Sequence, residues 1–334
     1  MTFDITRRRL LTVTAAGLVV PALRLPAQAD VPLPPEAEKF GAVVKAVDKA
    51  PKPLRLAILS FQGSSFWEAC EKGIKSATDY LKPLGSTVDN IQLGTALTAE
   101  AIVAGLDAAL AKQYNGISLV PIFDGTVAKV NEAVAAGVPV VAWVADSAQR
   151  SNRTVGIGTL ARQAGAKAGA FIAKQLDGKG KIAVITGYLG AAQHNDRMNG
   201  ALDLLKEKFP QIKIIGPFEC KDDDATAYSQ ATDAMTSNPD LNIIYVTAGG
   251  SEASAKAVRD AKATGKVGVV GYDDLPEKQQ YKEGGEILAL LDQAPSRQTF
   301  DSLTILHNIV AFQTKYPADI AIDAPIAYGK LAKQ

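Results

Sequence analysis

The chain has 334 residues with 36 basic and 35 acidic side chains, and beyond residue 29 the balance is 32 to 34. This near-neutral charge gives no reason to expect nucleic acid or an acidic lipid surface as a partner. Cys70 and Cys220 lie in different halves of the chain, and only two histidines accompany them. The composition therefore predicts two free buried thiols, no metal site and no cofactor.

Residues 1–29 have the pattern of a secretory signal peptide. The basic cluster Arg7–Arg9 precedes an apolar run from Leu10 to Val20, and Ala27–Ala29 forms an A-x-A cleavage site. The run is too short for a membrane span of about 20 residues. The stretch TRRRLL at 6–11 resembles the twin-arginine signal, which implies export of the folded protein to the periplasm. We therefore expect cleavage after Ala29.

Residues 30–53 contain five prolines around one short helical pattern, which predicts an extended lead-in with a small helix. From residue 54 onward, short apolar runs typical of strands alternate with helical stretches. The ten strand candidates are LRLAILSF, TVDNIQL, GISLVPI, PVVAWVA, TVGIG, KIAVITG, IKIIGPF, LNIIYVT, VGVVGYD and ILALLDQ.

Near-continuous apolar strands separated by helices indicate parallel sheets that are covered on both faces. The β/α series runs twice, over residues 54–157 and again over 158–292, and about 300 residues suit two domains better than one core. The predicted fold class is therefore α/β, with two doubly wound parallel-sheet domains. Ligands of such open sheets bind in the crevice at the carboxyl ends of the strands.

Three motifs could have either a catalytic or ligand-binding role or a purely structural one. GIGTLA at 156–161 matches a dinucleotide fingerprint, but its position between the two series favours a crossover followed by a helix start. His194 lies in a loop where it could act as a base, yet the sequence implies no nucleophile. The run Asp222–Asp224 lacks the alternating ligand spacing of the known calcium loop, so a solvated loop with a helix N-cap is favoured.

Aromatic, charged and amide side chains recur where predicted strands end. If the topology holds, they project into one crevice. Aromatic faces combined with a few hydrogen-bonding groups suit a neutral polyhydroxylated ligand, whose C–H faces stack and whose hydroxyls need donors and acceptors. The candidate ligand-binding residues are Phe66, Trp67, Trp143, Asp146, Arg197, Asp273 and Gln293.

From residue 54 to the end, the chain resembles the periplasmic solute-binding proteins of the ribose-binding type, the receptors of sugar ABC importers. The segments that carry the resemblance are LSFQGSSFWEACEKG, GVPVVAW, NDRMNGALDLLKEKFP, AVRDAKATGKVGVVGYDD and ALLDQAPSRQ. The resemblance implies that Phe66 and Trp67 stack on the ligand. It also implies that Arg197 and Asp273 bind the ligand and that Gln293 lies in the hinge.

The resemblance further implies a hinge of three strands, with crossovers near Gly158, Gln293 and residues 323–325. Residues 30–53 precede the two lobes as the lead-in. The expected N-terminal lobe comprises residues 54–158 and 294–323, and the expected C-terminal lobe comprises residues 159–293 and 324–334.

Two stretches depart from the family pattern. After the fourth strand, VVAWVADSAQR lacks an Asp-Arg pair in register, and AGGSE at 248–252 replaces an Asn-Asp. Both changes remove groups that bind hydroxyls, so a deoxy-sugar, polyol, cyclitol or less polar small molecule fits better than ribose.

We expect a non-catalytic, monomeric receptor that closes around the solute and passes it to a membrane permease. An exported α/β enzyme acting on a small polar metabolite is the alternative.

Overall fold

The computed structural model describes residues 30–333, so the predicted signal peptide lies outside the described residues. The strands are β1 Leu54–Ser60, β2 Ser86–Gln92, β3 Gly116–Leu119, β4 Val140–Val144, β5 Val155–Thr159, β6 Gly180–Thr186, β7 Ile212–Glu219, β8 Ile243–Val246, β9 Gly268–Tyr272, β10 Ile287–Leu291, β11 Asp319–Ile322 and β12 Ile326–Tyr328. The α-helices are α1 Pro35–Lys39, α2 Ser65–Leu81, α3 Ala99–Ala111, α4 Val127–Ala135, α5 Ala161–Gln175, α6 Ala192–Lys208, α7 Asp224–Ser237, α8 Ser251–Asp260, α9 Gln279–Gly284 and α10 Pro295–Phe312.

The strands form two six-stranded sheets, which confirms the predicted α/β class. The first has the order β11-β5-β4-β3-β1-β2 and the second β12-β10-β9-β8-β6-β7. Pairing is parallel except between β10 and β12, which run antiparallel. All residues of β3, β4, β8 and β9 are buried, as expected for inner strands that helices cover on both faces.

Within residues 30–333, the chain crosses three times between the two sheets. The first crossing joins β5 to α5, which packs on α6; the second joins β10 to α10, which packs on α2. The third joins β11 to β12. The GIGTLA stretch is therefore the end of a strand followed by a crossing and a helix start, as the favoured interpretation predicted.

The lead-in lies along the first sheet's domain and is held by side chains of α10. The buried carboxylate of Asp301 accepts hydrogen bonds from the backbone N–H groups of Val43 and Val44, both at 3.1 Å. Asn308 accepts from the N–H of Val47 at 2.9 Å. These contacts fix an irregular segment whose backbone donors have no strand partner.

Cys70 and Cys220 are buried and free, as the sequence predicted. Burial raises the pKa of both thiols, that of Cys220 to about 12, which leaves them protonated and unreactive. None of the helices in residues 30–333 is both long enough and apolar enough to cross a membrane.

Two glycines let α5 and α6 pack closely and so place the start of α6. A β-carbon at Gly165 would lie 2.0 Å from the carbonyl oxygen of Arg197, and one at Gly200 would lie 2.1 Å from that of Arg162. Side chains at these crossings would push the helices apart. The position of Arg197 therefore depends on a glycine in the neighbouring helix.

We expect Gly165→Ala to lower the free energy of unfolding by about 1–3 kcal/mol, because the added methyl overpacks the helix crossing. Gly190→Ala is the matched control, since nothing lies within 4 Å of its would-be β-carbon. The control change should stay within about 0.5 kcal/mol of the natural protein. Urea unfolding of both variants tests this, and equal stability of the two would contradict the packing account.

Candidate functional site

A cavity of about 80 Å³ lies between the two sheets, where the carboxyl ends of their strands face each other. Open α/β sheets bind ligands at this edge because loops and helix starts converge there. The first sheet's domain contributes Ser64, Ser65, Phe66, Trp67, Leu97, Val120, Ile122 and Val144. The second contributes Gln193, His194, Arg197, Asp222, Asp224, Ala248, Gly249, Gly250, Glu252, Asp273, Lys278 and Gln293.

Five of the seven candidate residues line this cavity together, namely Phe66, Trp67, Arg197, Asp273 and Gln293. The other two do not, and both positions correct the sequence-based picture. Trp143 is fully buried inside β4, below the strand end, because both faces of that inner strand are covered.

Asp146 turns away from the cavity. Its carboxylate lies 2.5 Å from Nε of Arg153, which also pairs with Asp319 at the edge of the first sheet. Asp146 lines a separate cavity instead, one that extends toward β5 and β11. Its position two residues beyond the end of β4 explains why it does not face the other candidates.

The buried guanidinium of Arg197 organises the polar wall of the cavity. It donates from Nη1 to the carbonyl of Thr247 at 3.1 Å and from Nη2 to Oε1 of Gln293. It also lies over the ring of Tyr272, 4.4 Å from the ring centroid. Its Nε is buried and finds no hydrogen-bond partner among residues 30–333. A buried donor without a partner carries a high desolvation cost.

Gln293 links this arginine to a buried carboxylate. Its Nε2 donates to Oδ1 of Asp273 at 2.7 Å while its Oε1 accepts from Arg197. Burial raises the pKa of Asp273, and the nearby charges of Lys278 and Arg197 partly offset that rise. The amide of Gln293 therefore bridges a cation and an acid that are not in direct contact.

Phe66 and Trp67 lie in the first turn of α2 and form the aromatic part of the opposite wall. The Trp67 ring meets Phe66 edge-on at 5.1 Å and lies 5.3 Å from Phe61. It also meets Trp143 edge-on, with ring centroids 5.9 Å apart. Trp67 thus lines the cavity and also belongs to an aromatic cluster beneath it, in which the ring of Trp143 packs against the ring of Trp67.

One hydrogen bond joins the two domains directly at the edge of the cavity. Nε2 of Gln193 in α6 donates to the carbonyl of Val144 at 2.5 Å. Val144 has φ of +66°, which is rare for a β-branched residue, and its N–H donates to Gln298 at 2.8 Å. A β-carbon at Gly158 would lie 2.8 Å from the same carbonyl, so only glycine fits there. Strained backbone of this kind persists where the surroundings fix it.

The sequence did not reveal several lining residues. Asp223 caps α7 as predicted, accepting from Thr226 N–H at 2.7 Å, whereas Asp222 turns to the cavity and accepts from Gly249 N–H at 2.9 Å. Lys278 donates to the carbonyl of Tyr272 at 2.9 Å, in a segment without any recognisable motif. Lys278 lines the cavity only because the chain after β9 turns back toward it.

The comparisons with known proteins agree with this architecture. Residues 57–314 match the model of the periplasmic binding protein domain, so the chain belongs to that family. It is a family of binding domains, which confirms the expectation of a binding protein rather than an enzyme.

Among curated proteins, the chain is 29% identical over 248 residues to the D-allose-binding periplasmic protein of Escherichia coli, covering 72% of this chain and 78% of that protein. Two solved structures are also similar. One is a glucose-galactose binding protein from Geobacillus stearothermophilus (26% identity, 83% and 98% of the two chains, TM-score 0.75). The other is an ABC transporter solute-binding protein from Burkholderia graminis in complex with D-arabinose (25%, 83% and 96%, TM-score 0.76).

His194 is buried beside the cavity, and its Nδ1 accepts a hydrogen bond from the N–H of Tyr188 at 3.0 Å. Its pKa is lowered to about 4, mainly by burial; the nearby charge of Asp222 opposes this shift and that of Arg197 adds to it. The imidazole is therefore neutral at physiological pH, with its acceptor already used.

This depressed pKa predicts a pH-dependent loss of stability. His194 has a pKa of about 6.5 in the unfolded chain and about 4 in the folded protein. Between these two pH values the unfolded chain binds a proton at His194 and the folded protein does not. Folding stability should therefore fall as pH drops through this window, by roughly 3 kcal/mol in total from this group. In His194→Asn that contribution disappears. Urea unfolding of both proteins between pH 7 and 4 tests the prediction, and parallel pH profiles would contradict it.

Proposed function

We propose that this protein is the periplasmic receptor of an ABC importer for a sugar or a sugar-like solute such as a polyol, cyclitol or deoxy-sugar. The solute binds in the cavity between the two lobes and is handed to a membrane permease. The observation that carries this proposal is the set formed by Arg197, Gln293 and Asp273, which faces Phe66 and Trp67 across one cavity.

This arrangement suits a small polyhydroxylated molecule. Aromatic rings bind the C–H faces of such a molecule, while charged groups exchange hydrogen bonds with its hydroxyls. Arg197 and Lys278 supply donors, whereas Asp222, Glu252 and Asp273 supply acceptors. Fixed donors and acceptors around an apolar patch also give orientation, which a receptor needs for selectivity.

Closure of the lobes provides the mechanism. Because the lining comes from both lobes, a solute gains its full interaction energy only when they are together, and binding shifts the population toward the closed arrangement. The three crossings act as the hinge. The bond from Gln193 to Val144 joins the two lobes in the arrangement described here.

The relatives support a sugar as the solute class. One is called D-allose-binding and another D-ribose/D-allose-binding, and one similar structure holds D-arabinose. Against ribose stands the AGGSE stretch, where Gly249 and Gly250 line the cavity without side chains.

We also propose that export follows the twin-arginine route with cleavage after Ala29, on the strength of the TRRRLL stretch. The receptor works as a monomer, because one chain supplies both walls of the cavity.

A thermal-shift screen over sugars, polyols and small acids, with D-allose, D-ribose and D-arabinose first, tests the proposed function. A true solute at 100 times its Kd adds about 2.7 kcal/mol to the stability of the folded protein. Stabilisation by small acids alone would contradict the proposal.

For the solute found, Arg197→Ala and Asp273→Ala should each weaken binding by about 1.5–3 kcal/mol, because each removes a charge-assisted hydrogen bond. Asp146→Asn is the matched control; its carboxylate pairs with Arg153 outside the cavity, so affinity should stay within about twofold. Titration calorimetry measures all three. Unchanged affinity in both alanine variants, or a large loss in the control, would place the site elsewhere.

A further inference from the structure

The two walls of the cavity differ in polarity. Every charged residue that lines it belongs to the C-terminal lobe, among them Arg197, Asp222 and Lys278. The N-terminal lobe lines it with two aromatic rings, two serines and the aliphatic side chains of Leu97, Val120, Ile122 and Val144. The cavity thus has one polar wall and one largely apolar wall.

Part of the backbone along the apolar wall is hydrogen-bonded within the protein. The N–H of Val144 donates to Gln298 and its carbonyl accepts from Gln193. Next to the lining residue Ile122, the carbonyl of Phe123 accepts from the hydroxyl of Thr126 at 2.8 Å. Among the side chains of this wall, only the hydroxyls of Ser64 and Ser65 can exchange hydrogen bonds with a solute.

Such a wall discriminates against hydroxyls once the lobes close. A hydroxyl placed against Leu97, Val120 and Ile122 loses its hydrogen bonds to water and gains none from these side chains. A methyl group in the same place loses nothing and buries apolar surface. The arrangement therefore favours a solute with hydroxyls along one edge and an apolar group at the other.

We propose that the solute is a deoxy-sugar whose terminal methyl group lies against the aliphatic wall, while its ring hydroxyls face Arg197 and Asp273. This inference rests on the proposed function and narrows the solute class. Leu97, Val120 and Ile122 then determine specificity, since they reject the hydroxymethyl group of an ordinary hexose.

Titration calorimetry with matched pairs of sugars tests the inference. The pairs are L-rhamnose and L-mannose, L-fucose and L-galactose, D-fucose and D-galactose, and 6-deoxy-D-allose and D-allose, each differing by one hydroxyl. In every pair that binds, we expect the deoxy member to bind on the order of tenfold tighter, which corresponds to about 1.4 kcal/mol. A hydroxylated member that binds equally well or better overturns the inference and leaves the proposed function standing.

Binding of a pentose or polyol without binding of any pair also overturns the inference alone. Failure of all sugars and polyols overturns both the inference and the proposed function.

A variant at the wall supplies an independent test. Val120→Thr keeps the shape of the side chain and adds one hydroxyl, so the preference for the deoxy member should fall several-fold. Val130→Thr is the matched control, because Val130 is buried in α4 and does not line the cavity. An unchanged preference in a folded Val120→Thr protein counts against the inference. If the Val120→Thr protein does not fold, the affinities of the natural protein for the matched sugar pairs decide whether the inference holds.

Discussion

The buried guanidinium of Arg197 is the constraint on which the C-terminal lobe's side of the site depends. The residue is 2% exposed, and a buried charge costs several kcal/mol unless its surroundings compensate it. The compensation comes from residues at or just beyond the ends of three neighbouring strands: Thr247 after β8, Tyr272 at the end of β9 and Gln293 after β10. The arginine therefore requires these strand ends to be in register. Gly165 in turn allows α6 to approach closely enough to place it.

The same network reaches the hinge. Gln293 lies in the crossing between β10 and α10, and its carbonyl accepts from Gln298 at 2.8 Å. Gln298 then accepts from the N–H of Val144, whose carbonyl meets Gln193 of the other lobe. A continuous chain of amides thus runs from Arg197 through the crossing between β10 and α10 to the contact between the two domains. A change at Arg197 therefore has a direct physical route to the contact between the two domains.

Much of the fold could be predicted from the sequence because inner strands covered on both faces must be apolar. All ten strand candidates form strands. β11 and β12 were missed, since these short edge strands are mostly not buried and so lack the continuous apolar run of the inner strands. Their pairing comes from tertiary contacts at the edges of the two sheets.

The site was predictable where a residue directly follows a strand, as Asp273 follows β9, or begins the next helix, as Phe66 does in α2. Trp143 was misplaced because the sequence does not mark the residue at which β4 ends, and a single position separates the buried interior from the crevice. Lys278 and Asp222 could not be foreseen, because their positions depend on loop paths that no local pattern encodes. The role of a loop residue can be inferred only when the residues that surround it in the folded protein are known.

Small-angle X-ray scattering of the purified protein with and without its solute tests the central claim most directly. If one solute bridges both walls of the cavity, saturation should lower the radius of gyration as the lobes close. Gln293→Leu breaks the link between Arg197 and the hinge, so it should bind more weakly and contract less at equal occupancy. A radius of gyration that stays constant while calorimetry shows full occupancy would contradict the account.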